Sequence, residues 1–457
     1  MHYDIAIIGG GASGLMAAYG AASAHKMRQG ARKVSVIVLE KMARPGRKIM
    51  ITGKGRCNFT NMKDWNAFSS HIRSNSNAIR PSFYNLTPDK LVEFFSSHGM
   101  ESVTERGDRV FPKSHKSMDV VDALVNACIS SGVRIETNFE VASVNQEKDS
   151  DNKIFSIHST NGQNINTSRL IIATGGLSYP TTGSSGDGYN FAMNLGHTLK
   201  QCFPSLTALV PKGYKLITEM KPDVLKGHID RNTPLSDLGN SFCGIQLKNI
   251  GLKLLCSGKI VQELEGDLDF TDGGIEGPTG FSISRNAVKA IINGCKVQIM
   301  LDLKPGVNEN EFQKRVENLW NEVRADKRSN GKPLRQTLKV LLGKLMPWEL
   351  IPCFQKCHPE IISGKKGHEV LKLNALVQAI RAWLFDIDGY VGFERCVVTA
   401  GGVSVDEIVP KTLASKKCEG LYLCGEILDT DADTGGYNLQ IAFSTGYLAG
   451  QSAALSL

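Results

Sequence analysis

Ile5, Ala6, Ile7 and Ile8 run straight into Gly9, Gly11 and Gly14, so G-x-G-x-x-G sits directly behind a continuous apolar segment at the start of the chain. Such a run, without polar alternation, marks a strand buried on both faces, as in a parallel sheet. From Leu15 to Ala24 small and apolar residues dominate, which predicts a helix packed closely on that sheet. Val34 to Leu39 predicts a second buried strand ending at Glu40. The chain therefore opens as a βαβ unit and is committed to an α/β fold. Gly9 permits the tight turn, Gly11 lets a pyrophosphate approach the backbone, and Gly14 lets helix and strand pack closely. The helix N-terminus supplies N–H groups and positive dipole. An acid at the position of Glu40 accepts hydrogen bonds from an adenosine ribose and disfavours a 2′-phosphate, which points to NAD or FAD rather than NADP. The motif does not decide between them.

A length of 457 residues allows about three domains at ~150 residues each. Apolar residues at 41% and charged residues at 21% suffice for a sizeable core. The eleven cysteines are scattered and odd in number, which fits reduced thiols in a cytoplasm better than disulfides. The apolar stretch of the N-terminus is too short for a signal-peptide core, and no stretch of about 18 apolar residues predicts a membrane span. A soluble, cytoplasmic protein is the expectation. The net charge of +8 is small for this length and reads as a solvated surface.

Three β-rich pieces, VRIETNFEVASV, KIFSIHST and RLIIATGG, lie between Val133 and Gly176, with a hairpin turn at Asn161-Gly162. Leu170 to Ala173 predicts a further buried parallel strand, with Thr174-Gly175-Gly176 at its carboxyl end, where open α/β sheets place ligands. After Gly196 the segments become short and of mixed polarity, predicting an inserted β-rich, barrel-like domain over 196–300. A helical subdomain follows over 301–383: Phe312, Val316, Leu319, Trp320 and Val323 form one apolar face. Leu338, Leu341, Leu342 and Leu345 continue it after a break at Asn330-Gly331. Glu309 and Glu311 favour the start of that block, and Asp302 reads as a solvated charge. The chain returns through the β-rich domain over 384–400. It rejoins the first domain (1–195) over 401–457 as a strand, a glycine-rich loop and a helix beginning near Leu439.

Arg44-Pro45-Gly46-Arg47-Lys48 leads into Ile51-Thr52-Gly53-Lys54-Gly55-Arg56-Cys57-Asn58-Phe59-Thr60-Asn61. This segment closely resembles the signature of a bacterial flavoprotein family that includes aminoacetone-oxidase-like and dehydro-bile-acid-reductase-like members. Supporting matches are GDRVFP (107–112) with Ser114, ATGGLSYP (173–180), Thr182-Gly183, Gly186-Asp187-Gly188, Gly277-Pro278 and TAGGV (399–403). The closing block matches at Leu423-Cys424-Gly425-Glu426, Asp429 and Gly435-Gly436-Tyr437-Asn438-Leu439-Gln440. The resemblance implies non-covalent FAD in a Rossmann-like domain of the two-dinucleotide-binding-domain flavoprotein type, with the middle of the chain inserted into it. It also implies that Gly425-Glu426 lies by the pyrophosphate or ribityl chain and that Gly436-Tyr437-Asn438 lies along the flavin ring. A helix N-terminus there would stabilise negative charge on the reduced ring. The candidate cofactor contacts are Gly9, Gly11, Ala12, Ser13, Gly14, Glu40, Lys41, Arg47, Lys48, Gly55, Arg56, Cys57, Asn58, Val141, Thr174, Gly175, Gly176, Gly425, Glu426, Gly436, Tyr437, Asn438 and Leu439.

The Arg47–Asn61 loop lacks the G-K-[ST] ending of a P-loop, which disfavours nucleotide hydrolysis, and it lacks a histidine for covalent flavin attachment. Cys57 has no closely spaced second cysteine, so it reads as a flavin neighbour or packing residue. Cys353, Cys357 and His358 lack a second ligand pair with zinc spacing, and no metal is expected. Arg56, Arg109 and Tyr179 are the candidate catalytic residues, an arginine to bind a carboxylate or polarise a carbonyl and a tyrosine to donate a proton; each could equally be a structural clamp.

The leading expectation is an oxidoreductase exchanging a hydride between FAD and a small organic substrate, by reduction of an activated C=C bond with NAD(P)H as transient donor. Oxidation of a small amine by oxygen remains open, as does a flavin-binding scaffold or sensor without turnover. An RNA-acting flavoprotein is disfavoured, because the basic block Lys327 to Arg335 lacks interleaved aromatics. Oligomeric state is not legible.

Overall fold

The computed structural model describes residues 1–24, 33–149, 152–217, 225–327, 332–365 and 368–457. The chain divides into two compact units, Met1–Ser205 with Cys396–Leu457, and Leu206–Arg395.

The first unit begins with β1 (His2–Ile8), α1 (Ala12–Ser23), β2 (Val36–Leu39) and α2 (Arg47–Ile51). β3 (Thr60–Asn61), α3 (Trp65–Ser69), α4 (Ser76–Asn85), α5 (Pro88–Ser97), β4 (Ser102–Glu105), β5 (Arg109–Pro112) and α6 (Ser117–Ser130) follow. Next come β6 (Arg134–Glu136), β7 (Val141–Asp149), β8 (Asn152–Ser159), β9 (Asn164–Ile172), α7 (Asp187–Asn194) and β10 (Leu199–Ser205). The β-rich piece 133–144 supplies two strands, β6 and the start of β7. Asn138 takes a left-handed φ of 56°. The chain bends there across the end of β2, with Phe139 N–H donating to the Glu40 carbonyl at 2.9 Å, before β7 leaves to pair with β8.

The second unit contains β11 (Leu209–Pro211), β12 (His228–Ile229), α8 (Asp237–Phe242), β13 (Gln246–Cys256), β14 (Lys259–Thr271), β15 (Gly274–Glu276), α9 (Gly277–Ile292) and β16 (Val297–Asp302). Then come α10 (Glu309–Ala325), α11 (Leu334–Gly343), α12 (Ile351–Cys357), β17 (Ile362–Ser363), β18 (Val370–Leu371), α13 (Leu373–Arg381) and β19 (Trp383–Val391). Strands β11, β15, β14, β13, β16 and β19 hydrogen-bond in that order, and β19 pairs back with β11, so the sheet closes on itself and leaves no open edge within the ring. This is the expected barrel-like insertion, but β13 and β14 span 11 and 13 residues rather than being short. The insertion also holds the 16-residue α9, which the sequence reading did not foresee. In α10, Phe312, Val316, Trp320 and Val323 are buried as the periodicity requires, and Leu319 is half-buried. Leu338, Leu341, Leu342 and Leu345 are buried as well. The expected break at Asn330-Gly331, and residues 328–331 of the basic block, lie outside the described residues.

The chain re-enters the first unit through β20 (Val398–Val403), β21 (Leu421–Leu423) and α14 (Tyr437–Leu455). β20 pairs antiparallel with β10. The main sheet runs β6-β2-β1-β9, all parallel, and β9 is the pivot. Its first half pairs antiparallel with β8 through Asn164–Thr167, and its second half pairs parallel with β21 through Leu170–Ile172. The apolar run expected as a buried parallel strand is thus the second half of β9, whose first half completes the hairpin with β8. α14 lies on α1, and a Cβ on Gly446 or Gly450 would run into the carbonyls of Ser13 and Ala17. Small residues at the crossing let the two helices bury the sheet's core strands Ile5–Ile8, Leu170–Ile172 and Leu421–Leu423. Among the described residues no helix is long and apolar enough to cross a membrane.

Candidate active site

β1, β9 and β21 end side by side, and the loops leaving their carboxyl ends carry the motifs. Gly9 turns the chain with φ 106°. A Cβ on Gly14 would collide with the Gly9 carbonyl, so Gly14 serves packing, whereas a Cβ on Gly11 would meet nothing within 4 Å and points into open space. The first N–H groups of α1 have no intrahelical partner and face that space. Glu40 accepts from Gly10 N–H at 2.7 Å and from Met42 N–H at 2.8 Å. Burial raises its carboxyl above the ordinary value, against the pull of those two N–H groups and of Lys41 and Arg47. A carboxylate has about four lone-pair sites. Glu40 therefore keeps acceptor capacity for a diol. Lys41 pairs with Asp187 at 2.6 Å and with Ser185, and the exposed Arg47 opens α2, whose preceding Gly46 N–H donates to the Gly10 carbonyl at 2.8 Å. Val141 is buried at the start of β7, just beyond the bend over Glu40.

Glu426 stands at the next step along the sheet edge. Its carboxylate forms an ion pair with Lys48 and accepts from Ser178 Oγ at 2.7 Å and Thr399 N–H at 2.8 Å. Burial opposes its charge, but Lys48, Ser178 and Thr399 outweigh that and hold its carboxyl below the usual carboxylate range. Thr399 Oγ1 in turn accepts from the N–H groups of Leu177 and Ser178 at 2.8 and 3.1 Å, and a Cβ on Gly176 would strike it. Lys48 and Glu426 thus hold one another and the Gly176–Ser178 loop. Gly425 lies against Ser13, near enough that a Cβ would overlap the serine hydroxyl. Thr174 Oγ1 is buried and has no hydrogen-bond partner among the described residues.

At the far end the signature loop meets the closing turn. Gly53, Lys54, Gly55 and Cys57 all have left-handed φ, between 55° and 86°. The Cys57 thiol is fully buried and its pKa is pushed up to about 12 by that burial. Gly436 takes φ 95°, and its α-carbon lies so close to the Thr60 carbonyl and to Asn58 Oδ1, 2.9 Å from where a Cβ would sit, that no side chain fits. Asn58 Oδ1 is buried and without a hydrogen-bond partner among the described residues. Asn61 Nδ2 donates to the Gly435 carbonyl at 3.1 Å, and Thr60 Oγ1 lies 2.5 Å from Gln440 Oε1. Asn438 bonds the backbone of Ala432 through both side-chain atoms at 2.9 Å, and Leu439 packs against the core. α14 starts at Tyr437, two residues earlier than expected, because Gly436 makes the turn.

Of the catalytic candidates, Arg56 and Arg109 both meet Glu105 of β4, one by an ion pair and the other as its partner in register, while Tyr179 stands on the loop after β9. Arg56 pairs with Glu105, bonds His115 Nδ1 at 2.9 Å, and its guanidinium lies 4.4 Å over the Phe111 ring, which is the geometry of a clamp. Arg109 is exposed at the start of β5, opposite Asn61 in register, with Nε donating to the Arg106 carbonyl at 3.0 Å. Tyr179 is half-buried with φ 51°, sparsely populated for a bulky residue and a strain that functional loops retain. In the other unit, Cys353 Sγ donates to the Ser241 carbonyl at 2.8 Å, and His358 Nδ1 lies 2.8 Å from Glu360.

Sequence reasoning missed one cluster. His71 Nδ1 lies 3.0 Å from Asp433 Oδ2, Arg73 bonds the same carboxylate through Nε at 2.7 Å and Nη2 at 2.5 Å, and the His71 ring stacks on Tyr437 with centroids 4.3 Å apart. No spacing motif announces residues brought together from positions 71, 73 and 433.

The crevice suits FAD in its chemistry. It offers two helix N-termini for anionic groups, a carboxylate with spare acceptor sites, a glycine whose missing side chain leaves room, and two buried oxygens, on Asn58 and Thr174, without partners. Residues 3–452 match the model of the HI0933-like protein Rossmann domain.

The chain belongs to the HI0933-like family.

That family comprises FAD-dependent oxidoreductases. This HI0933-like chain is 30% identical over 454 residues to the 3-dehydro-bile acid delta(4,6)-reductase of Clostridium scindens, with 98% of each chain covered. It is 27% identical over 449 residues to the ribosomal RNA dihydrouridine synthase of Escherichia coli, covering 98% of this chain and 97% of the relative. Among solved structures it resembles the 3-ketosteroid delta1-dehydrogenase of Sterolibacterium denitrificans at 14% identity, with a TM-score of 0.50 and full coverage of both chains, a likeness of fold.

Proposed function

We propose that this HI0933-like protein is a reductase of carbon–carbon double bonds conjugated to a carbonyl, using non-covalently bound FAD and a nicotinamide dinucleotide as transient electron donor. One observation carries the reading. Two relatives matched end to end bear names for very different substrates, a 3-dehydro-bile acid and a uridine of ribosomal RNA, yet both names describe saturation of a double bond in conjugation with a carbonyl.

FAD, when bound, supplies the hydride chemistry. The chain's own residues then do the following. The α1 N-terminus binds the pyrophosphate over Gly11, Ala12, Ser13 and Gly14, and Glu40 orients the adenosine ribose. Lys48 and Glu426 fix the loop that carries Thr174, Gly175 and Gly176 at the sheet edge. The Gly436–Leu439 turn, backed by Asn58, presents the α14 N-terminus to negative charge on the ring. Arg109, exposed and with Nε donating to the Arg106 carbonyl, is the arginine placed to bind a substrate carbonyl or carboxylate, while Arg56 acts as a clamp.

The relative named for ribosomal RNA supports a second reading of the substrate, a uridine base within RNA, which the lack of interleaved aromatics in the basic block Lys327 to Arg335 had disfavoured. The test is anaerobic stopped-flow of the purified flavoprotein. Bleaching of the flavin band by NADH or NADPH, followed by reoxidation with a cyclic enone or a 3-keto-4-ene steroid, is the expected result. Reoxidation by uridine-containing RNA and not by enones selects the second reading. A flavin that nicotinamides do not reduce overturns the nicotinamide-driven scheme.

A further inference from the structure

We propose that His71 is the residue that delivers a proton to the substrate carbon next to the carbonyl as the double bond is saturated; this rests on the reductase reading above. Saturating a conjugated double bond needs a hydride at the β-carbon and a proton at the α-carbon. The hydride and its electron pair come through FAD from the nicotinamide donor. The proton must come from a group that is protonated near neutral pH and held against the cofactor turn.

Such a group would have to lie against that turn. Asn61 and Thr60 of β3 hold Gly435 and α14 on one side. On the other side residues 71–75 form a clasp. Asp433 N–H donates to the His71 carbonyl at 2.9 Å, Arg73 N–H donates to the Asp431 carbonyl at 2.7 Å, and Ser74 Oγ bonds Asp431 Oδ1 at 2.8 Å. Ile72 and Ala432 form a β-bridge within it. Of the side chains on this clasp, His71 is of the type that most often serves as a general acid. It stacks on Tyr437, the first residue of α14, with planes 17° apart.

The dyad geometry decides which nitrogen acts. Asp433 is buried at 7% exposure and is fixed by both Nε and Nη2 of Arg73, so its carboxylate cannot turn away from His71 Nδ1. That bond keeps the proton of the neutral ring on Nδ1 and leaves Nε2 to take up a proton from solvent and give it to carbon. The side chain is 32% exposed, which lets it exchange with water between turnovers. In the balanced step the Nε2–H bond breaks, the α-carbon–H bond forms, and His71 is left neutral.

The test uses His71→Asn in the flavin-loaded protein, because the asparagine amide can still donate to Asp433 and so preserves the clasp. The variant is expected to keep wild-type flavin content and to be bleached by the nicotinamide within twofold of the wild-type rate. Reoxidation by the enone should slow ~10²-fold. Nitrogen-15 NMR of histidine rings in flavin-free protein gives an independent reading: one ring, absent in His71→Asn, should be the Nδ1–H tautomer and lose that preference in Asp433→Asn. Wild-type reoxidation of His71→Asn, or an Nε2–H ring at position 71, overturns the role of His71 and leaves the reductase reading standing. A wild-type flavin that no enone or uridine reoxidises overturns both.

Discussion

Lys48 and Glu426 lie 378 positions apart and share an ion pair at the carboxyl edge of the central sheet. The pair joins α2, in the signature, to the loop after β21, and through Ser178 and Thr399 it also reaches the loop after β9 and the start of β20. Removing one partner leaves the other largely buried and uncompensated. Lys48→Met should therefore lower stability by about 2 kcal/mol, reduced from the fully buried case because Lys48 is partly exposed. Urea unfolding of the flavin-free protein measures it, and Glu426→Gln on top of Lys48→Met should recover part of the loss.

The same pair sets an acid limit. Glu426 is held below the usual carboxylate range in the folded protein, so its contribution is fully present above the unfolded value of about 4.3 and is lost as pH falls through the lower folded value. Wild-type stability should fall more steeply below about pH 4.3 than that of Glu426→Gln. Urea midpoints compared at pH 3.5 and pH 6 check the difference.

Gly11 and Gly14 should fail in different ways. A Cβ at position 14 meets the Gly9 carbonyl, so Gly14→Ala should destabilise the flavin-free protein by about 1–3 kcal/mol or more. A Cβ at position 11 meets only open space, so Gly11→Ala should leave the flavin-free melting temperature within a degree or two. It should still weaken FAD affinity about tenfold, or ~1.4 kcal/mol. Calorimetry without flavin and fluorescence titration with it separate the two effects.

Cys57 should behave as an inert thiol. With the group buried and its pKa at about 12, a thiol reagent at pH 8 should label exposed cysteines such as Cys243 and Cys295 within minutes and leave Cys57 unlabelled until denaturant is added. Mass spectrometry of the labelled peptides reads the order directly, and rapid native labelling of Cys57 would contradict the packing role.

What could be read in the sequence was what is written in contiguous spacing. The Gly9–Gly14 turn, the acid ending β2, the Asn161-Gly162 hairpin and the apolar face of α10 each rest on residues a few positions apart, whose geometry the backbone itself imposes. In β9 the continuous apolar run over Leu170–Ile172 was legible, but the alternation over Asn164–Thr167 went unread, which hid that one strand changes partners midway. α9 escaped notice because Gly277, Gly280 and its serines mask the buried face of Ile283, Ala287, Val288 and Ile291. Glu426 was expected beside the cofactor, but nothing in the sequence told that its carboxylate would engage Lys48, Ser178 and Thr399. A lone lysine carries no mark of which acid it will meet. The His71–Asp433 contact spans 362 positions and is silent for the same reason.

The return of the chain to its first unit has a consequence for synthesis on the ribosome. β11 and β19 close the barrel sheet once residue 391 has emerged, so residues 206–395 then hold every strand of the ring. β9 lacks its β21 neighbour, and α1 keeps a bare face of small residues, until residues 421–455 have emerged. The carboxyl edge of the sheet is thereby incomplete until residues 421–455 have emerged, although residues 206–395 already hold every strand of the barrel ring.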